Sequence, residues 1–362
     1  MAGRDLAATG AGLAGTGASG ADVTGAGVTG AGVTGTFAVA DAVELAIVER
    51  SGFVESRHAG SAIVLTGDGE LLRALGDVTT PVFPRSSMKP FQAVAVMSSG
   101  VTLRDEHAAI ATASHSGTQK HADLARGLLA RAGIPESALA CPAAWPDDDA
   151  SRDALVRLGA AKAPIYMNCS GKHSAMLLAC AQNDWPLAGY LDPEHPLQKK
   201  ILDIVERFTG ERPTASGVDG CGAPVHALSL TALARGIARI ATSKSSSPFA
   251  IYREAGFLAE AVRKNGWVIA GPGRPDTIVI DRLGLFVKGG AEGIMVASAD
   301  NGTTVALKIL DGNLRAATIV ALGLLADTGA IKQTDVDALV PELSLAVLGG
   351  GRPVGQIRAS YL

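Results

Sequence analysis

The stretch Arg85-Ser86-Ser87-Met88-Lys89-Pro90 sets a serine three residues before a lysine at the start of an apolar run. On a helix these two positions share a face, so Ser86 Oγ and Lys89 Nζ can meet as nucleophile and base. A serine hydroxyl attacks poorly until something takes its proton. A lysine can take it only if burial or a neighbouring cation lowers its pKa toward neutrality. Ser-x-x-Lys also arises by chance on ordinary surface helices, so the pair needs a second element.

That element lies far downstream, where Leu285-Phe286-Val287-Lys288-Gly289-Gly290 reads as a short apolar strand running into a lysine and two glycines. It resembles the strand that accompanies Ser-x-x-Lys in penicillin-recognising serine hydrolases. The glycines would let the strand edge lie close against a substrate. Between the two, Ala113-Ser114-His115-Ser116-Gly117 supplies hydroxyls where those enzymes keep a middle serine motif, but the usual Ser-x-Asn or Tyr-x-Asn is missing.

The cysteines raise a second possibility. Cys169-Ser170-Gly171-Lys172-His173 and Asp219-Gly220-Cys221 are compact, glycine-containing turns that place thiols beside other donors. Two thiolates and a carboxylate suit zinc, although the spacing is not a standard zinc pattern, and buried apolar cysteines are the alternative. Cys141, ahead of Pro142, and Cys180, inside an apolar helix, read as structural. His173, just inside a helix start, could cap, ligate or bind an anion. His107, His121, His195 and His226 carry no assigned role.

These groups must be held by a chain of 362 residues that is 47% hydrophobic, ample for one large domain or two moderate ones. A net charge of −3 without a basic cluster argues against nucleic acid and anionic membrane as partners, leaving a small molecule as the expected ligand. The longest apolar run, near 316–326, is too short to span a bilayer and reads as a buried helix. Residues 1–39 form a Gly/Ala/Thr-rich extension with a near-repeat at Val23, Val28 and Val33, expected to be disordered. It lacks the marks of a secretory signal, so a reducing cytoplasm is the expected compartment.

From residue 40 onward, β-prone runs at 43–49, 53–57, 62–66 and 71–75 suggest an antiparallel meander. Helical periodicity follows at 90–97, 120–132, 171–183, 196–208, 225–241 and 252–264. Strands are expected again at 277–280, 285–287, 294–298 and 304–310, before a last helix at 314–325. Strands at both ends with helices between predict an α+β architecture over 40–362, one antiparallel sheet closed by both chain ends and flanked by helices.

Seven segments together resemble the Rhizobium etli type of L-asparaginase, also called the asparaginase II or thermolabile family. They are Glu55-Ser-Arg-His-x-Gly60, the Arg85 to Pro90 and Ala113 to Gly117 motifs, Asn168 to His173, Gly217 to Gly222, Ala270-Gly-Pro-Gly-Arg274 and Val287 to Glu292. The resemblance runs from about Ala40 to Gly355. It implies a fold like that of serine β-lactamases and penicillin-binding proteins, and hydrolysis of L-asparagine through two serine-lysine pairs, Ser86 with Lys89 and Ser114 with Lys288. It further implies a zinc site on Cys169, Lys172, Asp219 and Cys221, and Arg85 and His173 at the substrate carboxylate or ordering the site. A homodimer is expected. A penicillin-recognising amidase or esterase, or a non-catalytic zinc or amino-acid binding protein, would share many of these residues.

Overall fold

The computed structural model describes residues 35–361. Most of the expected extension therefore lies outside the described residues. Its last five positions belong to the compact unit that begins at Gly35, where Phe37 is buried in the core.

In chain order the strands are β1 (Val43–Arg50), β2 (Phe53–Leu65), β3 (Leu71–Leu75), β4 (Ser216–Val218), β5 (Pro224–His226), β6 (Phe286–Gly290), β7 (Ile294–Ser298), β8 (Thr304–Ile309), β9 (Ala346–Gly349) and β10 (Arg352–Ala359). The helices are α1 (Lys89–Ser98), α2 (Asp105–Thr112), α3 (Gln119–Ala130), α4 (Asp149–Arg157), α5 (Ser170–Gln182), α6 (Pro196–Thr209), α7 (Leu230–Ala241), α8 (Ala250–Lys264), α9 (Gly266–Ile269), α10 (Pro275–Leu283), α11 (Ala317–Asp327) and α12 (Gln333–Leu339).

The main sheet is antiparallel, in the order β6-β7-β8-β2-β1-β10-β9, with β3 also paired to β2. Early and late strands join in it as expected, since β2 pairs with β8 from Gly60 opposite Ile309 to Leu65 opposite Thr304, and β1 pairs in addition with β10 from Ala46 opposite Ala359 to Arg50 opposite Gly355. Every residue of β7 and β8 is buried, so both faces there must be covered. Helix α7 packs on β8, β2 and β7, while α11 packs on β8, β7 and β10. The apolar run expected to be a buried helix is α11, buried at nearly every position. A helical half, in which α1 packs on α6 and α8 and α5 packs on α2 and α3, completes the α+β fold.

Several expected elements are corrected. The runs at 53–57 and 62–66 are one long strand, β2. Residues 225–241 divide into β5 and α7, whose start is set by Ser229 capping the Ala232 amide. The run Thr277-Ile278-Val279-Ile280 reads as a strand because it is β-branched, yet it lies inside α10. Pro275 at the first turn and Gly284 at φ 67° punctuate a helix there, and the buried Thr277, Val279 and Ile280 form its inner face. The hairpin β9-β10 was not anticipated. Gly350 and Gly351, at φ 55° and 78°, make the tight left-handed turn that such a hairpin requires. Helices α2, α4 and α12 were likewise not anticipated, being short and weakly apolar.

Candidate active site

Ser86 lies in a single 3-10 turn, Arg85–Met88, that leads into α1 at Lys89. Gly290, at the end of β6, lies against this turn. A Cβ on Gly290 would stand 2.8 Å from Pro84 O and 3.2 Å from the amide nitrogens of Ser86 and Ser87. Only glycine lets strand and turn approach so closely. Ser87 Oγ donates to Lys288 O at 2.9 Å and fastens the same two segments.

Ser114 stands in the loop between α2 and α3, pinned by its own amide to Ile269 O at 2.8 Å and by the His115 amide to Asn168 O at 3.2 Å. Its hydroxyl receives Lys89 Nζ at 2.8 Å and Lys288 Nζ at 2.9 Å. Lys89 Nζ also donates to Ala113 O at 2.7 Å, and Lys288 Nζ to Gly289 O at 2.6 Å. Both lysines are 1% exposed. Burial, reinforced by the charge of Lys89, lowers the Lys288 pKa to about 7. Ser86, Ser114 and Lys288 line one cavity of about 430 Å³, a size suited to a small molecule. The two expected serine-lysine pairs thus converge on Ser114. Among the described residues Lys89 makes no hydrogen bond to Ser86, although the two are three residues apart.

Arg85 adopts a left-handed backbone, φ 49°, and its Nε donates to Asp219 Oδ1 at 2.7 Å. Hydrogen bonds from Arg85 and the Gly220 amide outweigh the burial of Asp219 and hold its carboxyl below the usual value. His173, in the first turn of α5, is fully buried, with Nδ1 2.6 Å from the Tyr190 hydroxyl. Burial and the nearby Lys172 push its pKa well down, so the ring is neutral. Neither Arg85 nor His173 lines the cavity.

Lys172, one residue earlier and 2% exposed, donates from Nζ to Cys221 Sγ at 3.1 Å. Its burial favours the neutral amine, but Cys169, Cys221 and Asp219 together outweigh it and raise the pKa. Cys169 Sγ lies 3.1 Å from Asn168 Oδ1. The influence of Cys221, with Lys89 and Lys172 nearby, lowers the Cys169 pKa well below the usual thiol value, while Cys169 and burial raise that of Cys221. As a donor set, two sulfurs, an amine and a carboxylate fit zinc in kind. Asp219 is turned toward Arg85, and among the described residues no three His, Cys, Asp or Glu side chains form a ready-made metal cluster. Cys141 and Cys180 are buried thiols, each pushed up to about 12 by burial, as inert packing residues would be.

Three residues beyond those expected complete the site. His115 Nδ1 accepts from the Gly117 amide at 3.1 Å, which leaves the ring proton on Nε2, 3.0 Å from Ser170 Oγ. It ties the Ser114 loop to the turn bearing Cys169. Ser116 and Arg274 line the cavity. Both lie in segments already singled out in the sequence, but nothing in their spacing marks them as neighbours.

A half-buried serine between two buried lysines, at a cavity walled by an antiparallel strand edge and a helix start, thus forms the candidate site of this α+β fold. The chain belongs to the L-asparaginase II family, whose pattern it matches over residues 46–359, and is an amidohydrolase. No curated protein matches it. Among solved structures it is similar to Mglu in its native form, at 13% identity over 77% of this chain and 67% of that one, with a TM-score of 0.43. The glutamate form of Mglu is similar at 11% identity over 75% and 61%, with a TM-score of 0.41.

Proposed function

We propose that the chain hydrolyses the side-chain amide of L-asparagine to L-aspartate and ammonia through an acyl-enzyme. The observation that carries this reading is Ser114 Oγ held between Lys89 Nζ and Lys288 Nζ on the cavity that Ser86 also lines. With its pKa near 7, Lys288 is partly neutral at physiological pH and able to accept a proton.

Ser86 is the proposed nucleophile. Its amide has no backbone acceptor among the described hydrogen bonds and lies beside Gly290, where an oxyanion would form next to the attacking serine. Ser86 Oγ bonds to the amide carbon as its proton passes to the Lys89-Ser114-Lys288 array. The C–N bond then breaks, and the array returns that proton to the leaving nitrogen, releasing ammonia. Water attacks the ester, gives its proton to the same array, and the ester C–O bond breaks to free aspartate and restore the Ser86 hydroxyl.

Arg85 and His173 order the site from behind, Arg85 through Asp219 and His173 through Tyr190. Cys169, Lys172, Asp219 and Cys221 would hold zinc, and a saturated ion there would brace the turns that flank the cavity. Lys172 would have to lose its proton to bind, which a divalent cation favours. Ammonia release from L-asparagine by the purified protein tests the reading. Absence of turnover at millimolar substrate would overturn it.

A further inference from the structure

Three segments meet at Ser116. The Asp148 amide donates to Ser116 O at 2.9 Å. On the other side, Gly271 at φ 112° packs so closely that a Cβ there would stand 2.1 Å from Ser116 Oγ. The loops 147–148 and 270–274 are thereby fixed to the same short segment that carries Ser114. Asp147 and Arg274, which these loops deliver, both line the cavity.

Both side chains are exposed at the cavity mouth. Arg274 Nη2 donates to the backbone oxygen of Asp147 at 2.7 Å, which orients the guanidinium and occupies one of its donors. Among the described residues neither the Arg274 guanidinium nor the Asp147 carboxylate enters an ion pair. Opposite charges thus flank one cavity without forming an ion pair with each other. Arg85, the other arginine of the site, is already paired with Asp219 at 2.7 Å and approaches Glu292 at 3.8 Å.

We propose that Arg274 and Asp147 are the specificity residues of this site, with Arg274 binding the α-carboxylate and Asp147 the α-ammonium group of an amino-acid substrate. A zwitterion presents both charges on one carbon, and its side-chain amide extends from that carbon toward the serines. A guanidinium suits a carboxylate in planar, two-point contact. The third group, Ser116, positions the two charged loops relative to Ser114. This inference rests on the amidase reading for the direction of the amide, but not for the binding of the zwitterion.

The test compares three amides differing only at the α-carbon: L-asparagine, β-alaninamide, which lacks the carboxylate, and succinamate, which lacks the ammonium. Wild-type protein is expected to prefer L-asparagine over both. In Arg274→Ala the asparagine to β-alaninamide ratio of kcat/KM falls about tenfold or more, mostly through KM, with partial recovery in Arg274→Lys. In Asp147→Asn the asparagine to succinamate ratio falls likewise. Calorimetric binding of L-aspartate gives a readout independent of turnover, and should weaken about tenfold or more in Arg274→Ala. Unchanged ratios with normal turnover, or a ratio that collapses in Arg85→Ala instead, would overturn the proposal. If no amide is turned over but L-aspartate binds in an Arg274-dependent way, the amidase reading falls and this one stands. If L-aspartate does not bind at all, this one falls.

Discussion

Lys89 Nζ reaches Ser114 Oγ at 2.8 Å, across 25 residues of chain, in preference to the Ser86 hydroxyl three residues before it. The geometry follows from the backbone. Ser86 is in a 3-10 turn and Lys89 opens α1, so Lys89 points inward beneath the cavity, where Ala113 O and Ser114 Oγ receive it. Ser114 consequently joins both lysines, and the two serines should respond differently to removal.

Ser86→Ala should lower kcat by about a thousandfold or more, the loss typical of a nucleophile, with little change in melting temperature. Ser114→Ala should cost about a hundredfold to ten-thousandfold, as expected for loss of a proton-transfer group. Steady-state ammonia release decides between them. A Ser86→Ala protein that keeps a tenth of the wild-type rate would transfer the nucleophile assignment to Ser114.

The activity should rise with pH through about 7, because the Lys288 pKa lies there and only the neutral amine accepts a proton. The same shift has a stability consequence. Between about 7 and the ordinary lysine value of 10.5 the unfolded chain binds a proton that the folded chain does not. The Lys288 contribution to stability therefore increases with pH across that window, and the full penalty of burying its charge is present below it. A kcat/KM profile that is flat from about pH 6 to 9 would count against Lys288 as the titrating group.

Gly290→Ala inserts a methyl group 2.8 Å from Pro84 O and 3.2 Å from the Ser86 amide. We expect a stability loss of about 1–3 kcal/mol and a larger fall in kcat than any rise in KM, since the turn bearing the nucleophile must shift. Denaturant unfolding and kinetics check the two halves. Wild-type kcat in this variant would mean that the Ser86 amide does not stabilise the reaction.

Purified protein should carry about one zinc ion per chain, and Cys169→Ser or Cys221→Ser should reduce that content and raise KM more than they lower kcat. Elemental analysis and steady-state kinetics provide the measurements. Unchanged KM and kcat in a metal-free preparation would leave Cys169, Cys221 and Lys172 as a purely protein network.

The sequence by itself determined which groups are available, because short motifs carry their chemistry locally. Ser-x-x-Lys at 86–89, Lys288-Gly289-Gly290 and the two cysteine turns were legible from residue type and spacing. So were most of the long helices and the two sets of strands, early and late, that share one sheet, since amphipathic periodicity and glycine punctuation depend only on near neighbours. The tertiary structure alone decided who meets whom. No spacing rule places Lys89 on Ser114, turns Arg85 toward Asp219, or sets Asp147 and Arg274 at one cavity mouth, because these contacts join loops more than 20 residues apart through the packing of other elements. The same packing makes a helix of the β-branched run at 277–280, where Pro275, Gly284 and a buried inner face override local strand preference.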